Sequence, residues 1–586
     1  MNRQQRRARD KAARPPVCPP APPEGDAVFA QALQLHQAGR LTEAEGLYRR
    51  VLDAAPDHAG ALHYLGVVAF QAGHLEPAVA LIGRSLAVAP DQPDALGNLG
   101  TALHGLGRLE EAEAALARAV EIQPAYAQGW YNLGAVRRAA GRLEPAAAAF
   151  RRAVDLRPDH ADALNNLGGV LQVMERPEEA EPYLEQALAL RPGDADTLSN
   201  LAAVREALGR PDEAIDTYRQ LLAARPDAAE IHYNLANALR AVGARAGAEA
   251  GFRRAVELAP DHAGARWNLG LLRLERAGPD AEAWEQYGWR LKSPDIQASR
   301  RMALPEWQGE DLAGKRALVW REQGLGDELM FASLYPDLIR RAGHVVIECD
   351  RRLVPLFARS FPGAAVRAET GDPAPMDLGT DCHIPAGSLP RWLRPGLAAF
   401  PDAPGFLVPD ASRADRWRRE LAALGAGPKV GLAWRSGLTT RRRAPAYTRL
   451  DQWAPVLTVP GLVLVPLQYD RCALALTDAE ARFGVTLHRW PGLDLKDDLE
   501  ETAALIAALD LVISAPTAVA ELAGALGVPT WRLAPGGDWS ALGTAARPWF
   551  PAQRPFQPRP GEGMAGVLAR LGAELASLGD GAPLLP

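Results

Sequence analysis

Prolines at positions 56, 90, 124, 158, 192, 226 and 260 stand 34 residues apart without a slip, and Pro294 falls on the same count. A period of this length is far too long for one helix or strand. It marks a repeated helix–turn–helix unit that cannot bury its apolar face alone and must stack on its neighbours. Other positions keep step. Ala44, Ala78, Ala112, Ala146, Ala180, Ala214 and Ala248 supply a small residue where two helices would cross. Leu-Gly or Leu-Ala recurs at Leu65-Gly66, Leu99-Gly100, Leu133-Gly134, Leu167-Gly168, Leu201-Ala202, Leu235-Ala236 and Leu269-Gly270. A glycine turn between the two helices recurs at Gly39, Gly73, Gly107, Gly141, Gly209 and Gly243, with Glu175 the exception. Residues 25–296 therefore read as an array of about eight 34-residue repeats.

This is the period of the tetratricopeptide repeat, so an all-α superhelix that holds other polypeptides is expected. Counting from Ala59, the sixth position of successive repeats is Asn98, Asn132, Asn166, Asn200, Asn234 and Asn268, with only Tyr64 outside the series. Asparagine is a poor helix former, so a ladder of it needs a reason. A carboxamide both donates and accepts, and in a groove it could grip the backbone of an extended peptide. Bonding between neighbouring repeats is the alternative. The ladder resembles that of the O-linked N-acetylglucosamine transferases, and the resemblance implies a protein acceptor in the groove.

Composition excludes several classes. Net charge of −6 gives no general reason for nucleic-acid binding. Cys18, Cys349, Cys382 and Cys472 form no C-x-x-C pair, so neither a disulfide framework nor a zinc site is indicated, and a reducing compartment is expected. The basic segment 1–24 reads as a solvated, disordered tail; it has no apolar stretch behind it, and no later run suits a membrane span. Cytoplasmic localisation follows as an expectation.

Beyond Lys315 the pattern changes to short apolar runs alternating with helical ones. Arg316–Arg321 and His344–Cys349 read as strands flanking a helix that opens at Gly324-Leu-Gly-Asp327, the makings of a parallel sheet. Gly324 and Gly326 suit a strand-to-helix turn that a ligand approaches closely, although Leu329 stands where a dinucleotide fingerprint needs its third glycine. A second unit runs from Lys429–Ser436 through strands at Leu462–Gln468 and near Val485–His488, a helix within Asp497–Leu509, and the strand Leu511–Ser514. A helix Thr517–Leu526 and a strand Pro529–Leu533 follow. The fold expected is an N-terminal all-α repeat superhelix followed by an α/β pair of Rossmann-like lobes of GT-B type. Residues 305–409 form the acceptor-side lobe and 410–586 the donor-binding lobe with a C-terminal helix, joined by a Pro-rich link at about 393–409.

The segments WREQGLGDELMFASLYPDL, VGLAWRSG and DLVISAPTAVAELAGALGVPTW, in this order behind a repeat array, resemble bacterial repeat-bearing glycosyltransferases of the two-lobed type. Their catalytic lobes are similar to lipopolysaccharide heptosyltransferases. The resemblance covers about 305–560 and implies roles for particular residues. Asp327 matches the family's Gly-x-Gly-Asp carboxylate and is the expected base for the acceptor hydroxyl, with capping of its helix as the alternative. Glu328 shares that task or complements the helix dipole. Gly324, Gly326, Arg435, Ser436, Gln468, Thr517, Ala518, Val519 and Glu521 are the expected donor-binding set. In that set the free amides at Thr517, Ala518 and Val519 hold a phosphate and Arg435 either contacts it or forms a surface ion pair. Many relatives carry Asp-Thr and then His where this chain has Ala515-Pro516-Thr517 and Glu521, which implies a different nucleotide sugar. Arg441-Arg-Arg443 is either a donor contact or a solvated loop. No D-x-D motif stands in this half, so metal-free catalysis without a cofactor is expected, with the nucleotide sugar as substrate.

The leading expectation is a glycosyltransferase acting on a protein hydroxyl. Some relatives of this kind modify flagellin from CMP-linked donors, which makes flagellin one expected acceptor. An inactive scaffold is a second reading, favoured by Ala515 and Glu521. A lipopolysaccharide transferase is a third, and it leaves the asparagine ladder unused.

Overall fold

The computed structural model describes residues 24–293, 302, 304–370, 379–437, 447–534, 536–559 and 561–578. Pro294, most of the basic tail and Arg441–Arg443 lie outside them. The chain divides into two compact units, Met1–Val242 and Gly243–Pro586.

The first unit is a stack of helix pairs, beginning with Glu24–Gln37 and Leu41–Ala54. Each second helix stops two residues short of its period proline: Leu41–Ala54 before Pro56, Leu75–Val88 before Pro90, Leu109–Ile122 before Pro124. Proline lacks an amide donor and disfavours helical geometry in the residue before it, so the stop is written in each repeat. Within a pair, the recurrent glycine of the first helix meets the recurrent alanine of the second. A Cβ added at Gly100 would lie 2.4 Å from Leu116 Cγ and 3.1 Å from the Ala112 carbonyl oxygen. The alanines from Ala44 to Ala248 are fully buried, as that crossing requires. The turn glycines adopt φ between 72° and 82°, and Glu175 takes the same left-handed conformation at φ 57°.

The second unit opens with the last repeats and continues into two parallel sheets. β1 (Arg316–Trp320), β2 (His344–Cys349), β3 (Ala364–Ala368) and β4 (Cys382–Pro385) pair in the order β3-β2-β1-β4. β5 (Lys429–Ala433), β6 (Val463–Pro466), β7 (Leu511–Ser514), β8 (Thr530–Leu533) and β9 (Gln553–Phe556) pair in the order β6-β5-β7-β8-β9. Every pairing is parallel; most strands are almost wholly buried, as parallel strands covered on both faces are, whereas the edge strands β3 and β9 are partly exposed. β3, β4 and β9 were not anticipated from the sequence, and Val485–His488 contributes an isolated bridge from Leu487 to Leu464 rather than a strand. The helix expected after β1 is broken: Leu325–Phe331, a 3-10 turn Ala332–Leu334, then Tyr335–Arg341, with Pro336 in the first turn of the last segment.

The Pro-rich link is not a loose tether. Phe406 and Leu407 both donate their amides to the Ala525 carbonyl, and a Cβ at Gly405 would lie 2.5 Å from the Gly527 nitrogen. The C-terminal helix Met564–Leu578 buries Val567, Leu568, Leu571 and Leu575 in the core around β5 and Trp453. The last repeat is part of the α/β body: Leu274, Trp284 and Tyr287 share one core with Val319, Phe331 and Trp549.

Candidate functional site

Strand β1 ends at Trp320 and the chain turns through Glu322 and Gly324 into the Leu325–Phe331 helix. Gly324 is the N-cap, with no side-chain cap bond, so Asp327 sits in the first turn and does not cap the helix. Across from it β7 ends at Ser514 and turns through Pro516 into the Ala518–Ala525 helix, with Thr517 as N-cap. Ala520 and Glu521 bond back to the Thr517 carbonyl, whereas the amides of Thr517, Ala518 and Val519 have no acceptor among the described residues. Unpaired donors at a helix start, reinforced by the helix dipole, favour an anion.

These two turns face one cavity of about 1140 Å³, lined by Gly324, Gly326, Asp327, Ser436, Thr517, Ala518, Val519 and Glu521 among others. It lies at the carboxyl ends of both sheets, where ligands of open parallel sheets are bound. A Cβ at Gly326 would make only ordinary contact, 3.4 Å from Glu521 Cγ and 3.9 Å from Ala518 Cα, so the approach of the two helices does not itself require a glycine there. A Cβ at Gly324 would meet only Asp327 Oδ2, at 3.8 Å.

Three expected site residues are placed elsewhere. Glu328 is buried beneath the turn; its Oε1 accepts the Asp350 amide at 2.9 Å and its Oε2 lies 3.2 Å from Arg321 Nε. Burial pushes its carboxyl up to about 8 in spite of Arg321, and it does not line the cavity. Gln468 is buried and clamps the end of β5: its Oε1 accepts the Trp434 and Arg435 amides at 3.2 Å, and its Nε2 donates to the Arg435 carbonyl at 2.9 Å. Arg435 does not line the cavity; its Nε pairs at 2.8 Å with Asp470, which does.

Two arginines that sequence reasoning missed line the floor. Arg547 is 2% exposed and donates to Glu521 at 2.6 Å, to Ser540 Oγ at 2.8 Å and to Gln553 at 2.7 Å. Arg532 pairs with Asp538, and its Nε lies 3.6 Å from Glu521. Burial alone would raise the Asp538 carboxyl, but Arg532 and Arg547 hold it far below the usual range. Glu521 is therefore spent on buried ion pairs. The walls add Tyr447, Tyr469 and Trp539, and the cations Arg471 and Lys496, neither of which forms an ion pair among the described residues. Tyr469 holds Ser436 through a 3.1 Å hydroxyl contact. The cavity thus combines a carboxylate, free amides, unspent positive charge and aromatic faces.

On the repeats, the asparagine ladder is engaged between neighbours. Asn98 Nδ2 reaches His63 at 2.9 Å, Asn132 reaches Thr101 at 3.1 Å, Asn166 reaches the Tyr131 hydroxyl at 3.3 Å and Asn200 reaches Asn165 at 2.8 Å. Each of these bonds spends one of two N–H groups. Asn234 is half-buried and Asn268 is buried.

Residues 7–59 and 199–263, 35–95, and 91–159 with 159–227 match family models described as tetratricopeptide repeat. With the helix pairs and their glycine–alanine crossings, they make the N-terminal part a tetratricopeptide-repeat array, a class built to hold protein partners. The chain is similar to Protein FlbA of Caulobacter vibrioides, at 40% identity over 302 residues, 49% of this chain and 50% of that protein. It spans about half the length of that relative. Among solved structures it is similar to YrrB, described as a TPR protein with an unusual peptide-binding site (24% identity, 31% of this chain and 95% of that one, TM-score 0.30). It is also similar to pilF of Pseudomonas aeruginosa (22% identity, 35% and 94%, TM-score 0.33). No helix among the described residues is long and apolar enough to cross a membrane.

Proposed function

We propose that the chain is a cytoplasmic glycosyltransferase of the two-lobed GT-B type. In this reading it moves a sugar from a nucleotide-activated donor to a hydroxyl of a protein acceptor, flagellin among the candidates, held by the repeats. The observation that carries this reading is the facing of Asp327 and the free Thr517–Val519 amides across one cavity at the carboxyl ends of two parallel sheets. In the reaction, Asp327 takes the proton of the acceptor hydroxyl as its oxygen attacks the anomeric carbon. The bond from that carbon to the donor phosphate oxygen breaks, and the amides with Arg471 and Lys496 stabilise the departing phosphate. Tyr447 and Tyr469 offer faces for a base. Asn98, Asn132, Asn166 and Asn200, with one N–H spent between repeats, have a second to offer an acceptor backbone.

The test is a thermal-shift panel of UDP, GDP, ADP and CMP on the wild type and on Asp327→Asn. One nucleotide should raise the melting temperature of both proteins, since a ligand at a hundred times its Kd stabilises by about 2.7 kcal/mol. Transfer by Asp327→Asn should fall roughly 10²–10⁴-fold, the usual worth of a positioned base. No stabilisation by any of the four would overturn the donor site. Nucleotide binding without transfer to any protein would favour the inactive scaffold, for which the spent charge of Glu521 speaks.

A further inference from the structure

The turn that brings Asp327 to the cavity is held by side chains of the last repeat. Glu322 is 1% exposed in its side chain; its Oε1 accepts from Arg290 at 2.5 Å and from the Gly387 amide at 2.6 Å. Arg290, fully buried at the end of the repeat helices, also donates to Ser388 Oγ at 3.1 Å. A Cβ at Gly387 would lie 2.6 Å from Glu322 Oε1 and 2.9 Å from an Arg290 guanidinium nitrogen, so a side chain there would displace the pair. One residue further along the turn, Gln323 Nε2 donates to the Tyr287 hydroxyl at 2.9 Å. The Tyr287 ring lies 4.6 Å from the Arg290 guanidinium and 5.2 Å from Trp539, which lines the cavity.

A buried ion pair is a poor way to gain stability, because apolar residues of the same volume serve as well or better. It fixes one arrangement of the groups it joins, and here those groups are a repeat helix and a turn only five residues from the carboxylate. The Leu325–Phe331 helix is too short to hold itself in place. We propose that Arg290 and Tyr287 of the last repeat are positioning residues, which lock the Glu322–Asp327 turn into the geometry that presents Asp327 to the cavity. The proposal rests on the function given above for its kinetic consequence, but not for its structural one.

Two variants of the full chain test it: Tyr287→Phe, which removes one hydroxyl and keeps the ring, and Arg290→Lys, which keeps the charge and loses the fork. Amide exchange by mass spectrometry should rise about three- to tenfold in residues 321–331 of both, in keeping with one or two lost hydrogen bonds. Exchange in β5 to β8 and the melting temperature of Tyr287→Phe should stay as in the wild type. The turnover number should fall about 10–100-fold with donor KM unchanged, the mark of a misplaced reacting group. Unchanged exchange in 321–331 for Tyr287→Phe overturns the proposal, and so does a loss confined to KM. If Arg290→Lys fails to fold, Tyr287→Phe decides. A wild type that transfers no sugar ends the functional reading and leaves the exchange result to judge the positioning.

Discussion

Asp327 and Glu328 are adjacent acids on one short helix, yet one opens on the cavity and the other is sealed under it. Glu328 titrates near the usual 4.5 in the unfolded chain and at about 8 in the fold. The folded state therefore binds the extra proton between those values. Its contribution to stability is complete below about 4.5 and is lost as pH rises through about 8. Urea melts at pH of about 5 and about 8 should show Glu328→Gln gaining on the wild type at the higher value. Parallel curves for the two proteins would mean that Glu328 is ionised throughout. The sequence paired these residues as candidate acids because adjacency is visible and burial is not. Arg532 and Arg547 were invisible for a related reason: in a chain rich in arginine no spacing marks those that end up enclosed. Gln468 misled in the opposite direction, since a polar residue at a strand end suits a ligand contact as well as the backbone clamp it forms.

Each repeat turn asks for a left-handed residue, and Glu175 supplies one without the freedom of glycine. That conformation costs a residue with a Cβ about 1–2 kcal/mol. Glu175→Gly should raise the melting temperature slightly, by an amount worth up to about 1 kcal/mol after the added flexibility of the unfolded chain. A lower melting temperature would show that the Glu175 side chain contributes more than its backbone costs. The crossing glycines are not equal either. At Gly168 the atoms nearest an added methyl all belong to the Leu184 side chain, the first at 2.5 Å, but at Gly270 they are the Tyr287 nitrogen at 2.6 Å and the Gln286 carbonyl carbon at 2.9 Å. A side chain can rotate away and a backbone cannot. Gly270→Ala should therefore destabilise by about 1–3 kcal/mol, more than Gly168→Ala, as urea unfolding would measure. Equal losses would show that the last pair of helices yields as easily as the others. The 34-residue rhythm made these elements legible, helix stops included, because every repeat restates the same local chemistry. β3, β4 and β9 carry no such restatement: β4 is a run of only four residues, β3 is only partly buried, and β9, Gln-Arg-Pro-Phe, has no apolar run to mark it.

At the scale of the whole molecule, the rhythm points to a boundary near residue 296, yet the chain divides compactly at Val242 and Gly243. The reason is composition hidden inside the repeat. Trp284 and Tyr287 occupy ordinary repeat positions but pack with Val319, Phe331 and Trp549, and the Trp284 indole donates to the Arg394 carbonyl at 3.0 Å. A chain beginning at Gly243 should unfold in one cooperative transition, whereas one beginning at residue 305 should be insoluble. The shorter chain would leave Glu322 buried without Arg290 and uncover the Phe331 and Trp549 face. A stable, monomeric product from residue 305 would disprove the shared core. The same joint has a mechanical meaning. Repeats that touch only their neighbours peel away singly under tension, each at low force. A pull on the N-terminal end would thus give a train of small, evenly spaced extensions. It would halt where Trp284 and Arg290 anchor the last repeat, and only a much larger load would break the molecule beyond that point.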